Sequence, residues 1–310
     1  MLAIRTIKKL FRPMQAIPKS VAVMFALTGL ATLLLLWNWT SAEFESEGKG
    51  ILLPSPQTTF ERFLDYLGAG PATAEAIEKA SQKMGDANPE ALEEMKSSIR
   101  SKSMESLRVM GNDLKVSFIR VTTAFLLAAL LGVPLGIFMG SFKMVESYFQ
   151  AMVEFIRYVP VPALISLLII IFGVDEAPKI MLIFLGTFFQ LILMVSEEVK
   201  RVPEEMLRAC YSMGGTTGEV VSEVIMKQAM PGIFDALRLC NGWAWTWLIV
   251  AEMIAANEGM GFRIIRYQRY LQTDQIFIYL IALGLVGLTL DALFRLLNRK
   301  LFRWAIENKG

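Results

Sequence analysis

Arg263, Arg266 and Arg269 recur at every third position, which sets their guanidiniums along one side of a short helix. Such a stripe can concentrate small anions, meet acidic residues of a protein partner or hold lipid head groups. Glu252 stands inside an apolar run, LCNGWAWTWLIVA, that resumes beyond it to Ala256. A carboxylate there bonds neighbouring backbone or arginine groups, or it faces a cavity. Because an unpaired carboxylate would repel an anion, Glu252 reads as a structural or gating residue rather than an anion ligand. Asn241 opens the same run beside Trp243, Trp245 and Trp247, so it lines a path or belongs with the tryptophans to an interface. Pro160 and Pro162 break a helix and free backbone groups that need a cavity or water, or they mark a bend at a surface. What is missing matters equally. The chain has no His and only Cys210 and Cys240, which removes the usual general base and the commonest metal ligand. It has no GxxxxGK[ST] phosphate loop, and Gly48-Lys49-Gly50 is too short to serve as one. No catalytic residue and no metal site is read.

The elements that hold these residues are set by hydropathy. The chain is 54% hydrophobic and 19% charged, against about 45–50% and 25% for soluble domains. A net charge of +2 is too small to call for nucleic acid. Uncharged runs at 20–42, 121–142, 158–174, 180–196 and 275–290, with the Glu252 run at 239–256, predict six membrane helices in an all-α protein. Arg5, Lys8, Lys9, Arg12 and Lys19 precede the first span, and Arg295, Arg299, Lys300 and Arg303 follow the last. An even number of spans with two basic ends places both termini in the cytoplasm. The domain plan is a cytoplasmic start at 1–19, an anchor helix at 20–42 and an outer segment at 43–115. A five-helix core at 116–297 and a cytoplasmic end at 298–310 complete it. Thr40-Ser41-Ala42 allows a cleavable leader instead of an anchor, but cleavage leaves an odd span count that the basic C-terminus disfavours.

Two segments outside the spans carry their own signals. In the outer one, Leu53-Pro54-Ser55-Pro56 is extended, and two helices follow. One bears Ala72, Ala76, Ile77, Ala80 and Met84 and closes at Gly85. The other starts at Asn88-Pro89-Glu90 and bears Leu92, Met95, Ile99, Leu107 and Met110. They form a packing cap or a docking surface. The inner segment, 197–231, reads as a hairpin between two spans. Pro203-Glu204-Glu205 starts a helix, Gly214-Gly215 turns it, Thr216 or Thr217 caps a second helix through Ile225, and Pro231 ends the region. A helical hairpin in that place reads as a knob shaped for another protein.

That hairpin resembles the EAA loop of membrane subunits of binding-protein-dependent ABC importers. Their pattern is Glu-Ala-Ala, three residues, Gly, nine residues, then Ile-x-Leu-Pro. Here Arg208-Ala209-Cys210 stands at the triplet, Gly214 at the glycine and Val224-Ile225-Met226-Lys227 at the end. Arg, Cys and Lys227 depart from the pattern while the spacing holds. The Leu-Pro-Ser-Pro lead-in, Ser117-Phe118-Ile119-Arg120, Gly132-Val133-Pro134-Leu135-Gly136, Arg157-Tyr158-Val159-Pro160-Val161-Pro162-Ala163, Ala251-Glu252-Met253 and Gly259-Met260-Gly261-Phe262 are similar to the nitrate/sulfonate/taurine/bicarbonate permeases. The likeness covers about 51–67 and 116–304, and 68–115 reads as an insertion.

The resemblance implies a type I (MetI-like) permease fold in a bacterial inner membrane, working as a homodimer. It implies a cytoplasmic ABC ATPase that uses ATP and Mg, a periplasmic substrate-binding protein and no cofactor on this chain. The loop residues Glu204, Glu205, Arg208, Ala209, Cys210, Gly214, Gly215, Glu219 and Lys227 would meet the ATPase. Pro160, Pro162, Asn241 and Glu252 are candidates for the path or its gate, and the three arginines for an outer anion funnel or docking face. The cargo implied is a small anion. The same machinery for a neutral or cationic nutrient, or a secondary carrier without ATP, are the competing readings.

Overall fold

The computed structural model describes residues 19–84 and 89–307, and every regular element among them is helical. Arg5, Lys8, Lys9, Arg12, Gly85 and Asn88 lie outside the described residues. The helices are α1 (Lys19–Ser46), α2 (Pro56–Tyr66), α3 (Pro71–Met84), α4 (Pro89–Ser141), α5 (Lys143–Tyr158), α6 (Ile165–Phe172), α7 (Glu176–Lys200) and α8 (Glu204–Ser212). The chain continues through α9 (Thr217–Glu219), α10 (Met226–Ala255), α11 (Met260–Arg269), α12 (Thr273–Leu301) and α13 (Arg303–Glu307).

Four helical stretches among the described residues are long and apolar enough to cross a bilayer: Ser20–Ser46, Ser101–Ser141, Glu176–Lys200 and Thr273–Leu301. α10 has 30 residues, ample length for a span. Its apolarity is diluted by Lys227, Asp235, Arg238, Asn241 and Glu252. The span expected at 158–174 is not one helix. α5 ends at Tyr158, and the segment Val161–Phe172 leaves it at 86°. Pro160 and Pro162 remove two amide donors within three residues, and Val159 adopts ψ 127° ahead of the first proline.

Two further expectations change. The second outer helix and the second span are one 53-residue helix, α4, with no interruption between Met110 and Val121. Gly111 is the one weak point there, and a single glycine costs only about 1 kcal/mol in a helix. The buried face from Asp113 to Ala128 outweighs it. Pro231 does not end the hairpin but lies inside α10. The six residues Val220–Ile225 just before are wound as a π-helix. Pro231 falls in the second turn of α10, where the only hydrogen bond it forfeits is the one to the Lys227 carbonyl.

The core is built on α4, α7 and α10. α4 and α7 run parallel, because Arg120 meets Glu176 while Gly132, Gly136 and Gly140 meet Leu191, Val195 and Val199 in turn. These glycines recur every fourth residue and let the backbones close up. A Cβ on Gly136 would lie 2.7 Å from the Val195 side chain, and one on Gly140 would lie 2.6 Å from that of Val199. α10 runs antiparallel to α7, with Gly232 beside Glu198, Cys240 beside Met194, and Trp247 filling the space a side chain on Gly186 would take. α12 returns alongside, Phe294 against Phe125 and Tyr279 against Asp113. α1 stands apart. Trp37 stacks on Phe277, and the Trp37 indole and Ser41 hydroxyl donate to the Pro54 and Leu53 carbonyls, but the rest of α1 is exposed apolar surface.

Candidate coupling hairpin and outer polar network

Between α7 and α10 the chain forms the expected hairpin, and its turn is fixed by backbone chemistry. α8 starts after Pro203, with Glu204 and Glu205 in the first turn where the helix dipole favours acids. Its other end is a Schellman closure. The Gly214 amide donates to the Tyr211 carbonyl at 3.0 Å, and the Gly215 amide to the Cys210 carbonyl at 3.0 Å. Gly214 takes φ 86°, which a side chain would strain. Gly215 is needed for space, since a Cβ would lie 2.6 Å from Cys210 Sγ. Thr216 then caps the next helix. Its hydroxyl accepts from the Glu219 amide while the Glu219 carboxylate accepts from the Thr216 amide at 2.7 Å, a complete capping box. Those bonds, the backbone one foremost, hold the exposed Glu219 carboxyl below the usual carboxylate range.

Arg208 pairs with Glu204 and Lys227 with Glu223, both across one exposed helical turn. Ala209 is exposed and Cys210 half-buried. Leu207 and Cys210 pack inward on the core, whereas Met206, Tyr211 and Met213 point outward, Met213 with 82% of its surface free. The hairpin is thus anchored on one side and presents an apolar tip on the other.

At the opposite end of α7 a buried polar network joins five helices. Glu252 on α10 is fully buried. Its Oε1 accepts from Ser117 Oγ at 2.7 Å and Arg120 Nη1 at 2.7 Å, and its Oε2 accepts from the Gly261 amide at 2.7 Å. Arg120, 2% exposed, reaches on to the Glu258 carbonyl at 2.8 Å and forks onto Glu176, which also accepts from Lys179. About two turns before Arg120 on α4, Asp113 accepts from the Gly259 amide at 3.0 Å, Arg263 Nε at 2.8 Å and the Tyr279 hydroxyl at 3.3 Å. Gly259 takes φ 121°, and a Cβ there would lie 2.4 Å from the Glu252 carboxylate, so the loop wraps directly over the buried charge. Glu252 therefore bonds arginine and backbone groups.

The arginine stripe divides. Arg263 is tied to Asp113, while Arg266 and Arg269 are exposed and make no ion pair among the described residues. Pro160 and Pro162 are exposed at the α5–α6 break, and Asn241 is half-buried on α10 about three turns from Glu252. Trp245 lies against Phe118. Sequence reading missed Asp113, Glu176, Lys179 and Tyr279 as members of the network. Asp113, Ser117 and Arg120 at i, i+4 and i+7 share one helix face, and that polar stripe was the available signal.

Comparison with known proteins bears on this arrangement. Residues 132–303 match the family described as binding-protein-dependent transport system inner membrane component, a stretch that includes the hairpin, Glu252 and the arginine stripe. The chain belongs to that family. The permease is 30% identical over 287 residues to the taurine transport system permease protein TauC of Escherichia coli, 93% of this chain and 92% of that one. It is 34% identical over 197 residues to the putative aliphatic sulfonates transport permease protein SsuC of Bacillus subtilis, 64% of this chain and 71% of that one. Its fold is similar to that of a chain of the inward-facing MetNI methionine ABC transporter, with a TM-score of 0.53 and 16% identity, over 60% of this chain and 95% of that one. The permease is thus an inner-membrane, multi-pass ABC importer component of the sulfonate/taurine/bicarbonate type.

Proposed function

We propose that two copies of this permease enclose a path for a small oxyanion, and that a cytoplasmic ATPase drives it through the 197–231 hairpin. The observation that carries this reading is the hairpin's geometry. Its turn is locked by the Gly214-Gly215 closure and the Thr216–Glu219 box, and its outward face offers Met206, Tyr211 and Met213 for burial in a groove. A rigid knob transmits displacement, whereas a loose loop would absorb it. ATP and Mg belong to the partner, and this chain catalyses nothing itself. Both termini lie in the cytoplasm, which sets the buried network at the outer end of the bundle. Arg266 and Arg269 then face the side from which a binding protein delivers cargo, with lipid around the remaining apolar faces. The anionic cargo rests on the relatives named for taurine and aliphatic sulfonates.

The test is a pull-down of tagged permease in mild detergent with ATPase activity measured on what co-purifies, followed by uptake in vesicles. A stoichiometric ATPase and stimulation by an anion-loaded binding protein are expected. An ATPase-free homodimer that still transports would replace this reading with a secondary carrier. Changing Arg266 and Arg269 to Gln should weaken uptake more at low than at high salt, because screening already removes steering at high salt.

A further inference from the structure

We infer that Arg157 is the anion ligand of the translocation path, held at the break between α5 and α6. The inference rests on the importer reading above and adds the group that meets the cargo. Its first support is depth. Glu146 near the start of α5 bonds Lys200 at the end of α7, with Nζ to Oε1 at 2.9 Å. Further up α5, Val153 packs with Ile192, Phe188 and Phe189. Ile192 lies eight residues before Lys200, about 12 Å along a helix that is about 37 Å long in all. The break that follows at Val159-Pro160 therefore falls near the middle of α7, at mid-membrane depth.

The second support is that Arg157 is exposed there and pairs with no carboxylate among the described residues. The neighbouring carboxylate on α5, Glu154, accepts from Gln150 at 2.9 Å instead. The remaining described cations without an ion pair lie toward one end of the bundle or the other: Lys102, Arg108, Lys115, Arg266 and Arg269 beyond Arg120, and Arg299, Lys300 and Arg303 past Asp291. A guanidinium left facing lipid at mid-depth is strongly disfavoured. It faces water or an anion.

The third support is how the side chain is held. Its guanidinium lies 4.6 Å from the centre of the Tyr158 ring. Stacking on one face fixes the plane and leaves the N–H edges free. Two parallel N–H groups match two oxygens of a sulfonate, carbonate or nitrate, a geometry that an ammonium does not reproduce. The adjoining Val159-Pro160-Val161-Pro162 segment is non-helical backbone, which at this depth is tolerated where it is buried in protein or lines a water-filled cavity. Pro160 and Pro162 are exposed on the single chain, so this backbone borders either lipid, where its freed polar groups would go unsatisfied, or water.

Two measurements on the whole importer in proteoliposomes test this. In R157C, labelling by a water-soluble, negatively charged methanethiosulfonate is compared with the parent, whose Cys210 and Cys240 set the background. In Arg157→Gln and Arg157→Lys, uptake of ethanesulfonate, taurine and bicarbonate is measured together with ATP hydrolysis. Expected are labelling well above background in R157C, and a loss of uptake of at least tenfold in Arg157→Gln. ATP hydrolysis should persist, and Arg157→Lys should keep part of the uptake. Labelling only by a lipophilic maleimide would put Arg157 against lipid and overturn the inference. So would Arg157→Gln transporting at the parental rate. If the parent carries none of the three anions while R157C remains water-accessible, the cargo assigned under the importer reading is refuted, and the anion-ligand role falls with it.

Discussion

Glu252→Gln is the sharpest probe of the outer network, because it keeps size and shape and removes only the charge and one acceptor. The carboxylate accepts from Ser117, from Arg120 and from the Gly261 amide. If the glutamine oxygen stays with Ser117 and Arg120, its amide nitrogen must face the Gly261 N–H, donor against donor. Replacing a charge-assisted bond by a neutral one costs about 1–2 kcal/mol, and stranding a buried amide costs about 1–3 kcal/mol more. A loss of about 3 kcal/mol is roughly a hundredfold in the unfolding equilibrium. Unfolding by SDS in mixed micelles, followed by tryptophan fluorescence, reads this directly. The paired variant Arg120→Met with Glu252→Leu should recover much of the loss, since replacing both partners of a buried pair is often nearly neutral. A change below about 0.5 kcal/mol for Glu252→Gln, the range of an ordinary surface substitution, would refute the structural role. It would return Glu252 to the pool of path residues.

Other consequences are as definite. Gly140→Val should lower folded yield and thermal stability in detergent by more than Gly111→Val, because only the first meets the Val199 side chain and Ser196 carbonyl while Gly111 faces open space. Equal losses would show that helix propensity governs. Gly214→Val forces a side chain into φ 86°, at a cost of about 1–2 kcal/mol. It should abolish co-purification of the ATPase while leaving membrane insertion intact, and normal ATPase capture would sink the coupling role. Glu219 has a folded-state pKa below its unfolded value, so its contribution to the hairpin is complete above the ordinary carboxylate pKa. That contribution fades as pH falls through the lower folded value. The protection of the Thr216 amide, its exchange rate compared with that of an unstructured peptide at the same pH, should therefore fall on acidification below about pH 4, and in Glu219→Ala it should be low at every pH.

The parts of this fold that were legible in the sequence are those fixed locally. Thr216 and Glu219 at capping-box spacing, the double glycine at Gly214-Gly215 and the long uncharged runs each settle their own few residues. Glu252 was recognisable as a bonded carboxylate because a charge in an apolar run needs partners. Which partners it has was hidden, since Arg120 and Ser117 come to it from 132 and 135 positions away. The unity of α4 was hidden for a related reason. A glycine followed by Asn112, Asp113 and Lys115 does not look like the inside of a span, and only the structure shows Asp113 and Ser117 buried in a network. Pro231 misled in the opposite sense, because a proline reads as a stop, whereas packing of α10 on α7, as at Gly232 beside Glu198, carries the helix through it. The split of the arginine stripe followed from Asp113, on another helix 150 positions away.

The unbroken course of α4 has a mechanical meaning. From Pro89 to Ser141 it is a beam of about 80 Å, more than twice the thickness of a bilayer core. Its inner third is bolted to α7 through the glycine stripe, and α7 leads directly into the hairpin. A tilt of about 5° about the inner end would sweep the far tip through about 7 Å of the space outside the membrane, by the length of the beam alone. If an ATPase drives the hairpin as proposed, small strokes there become large excursions at the far end of α4, and Pro134 is the one break in that helix's hydrogen-bond ladder at which slack could be taken up.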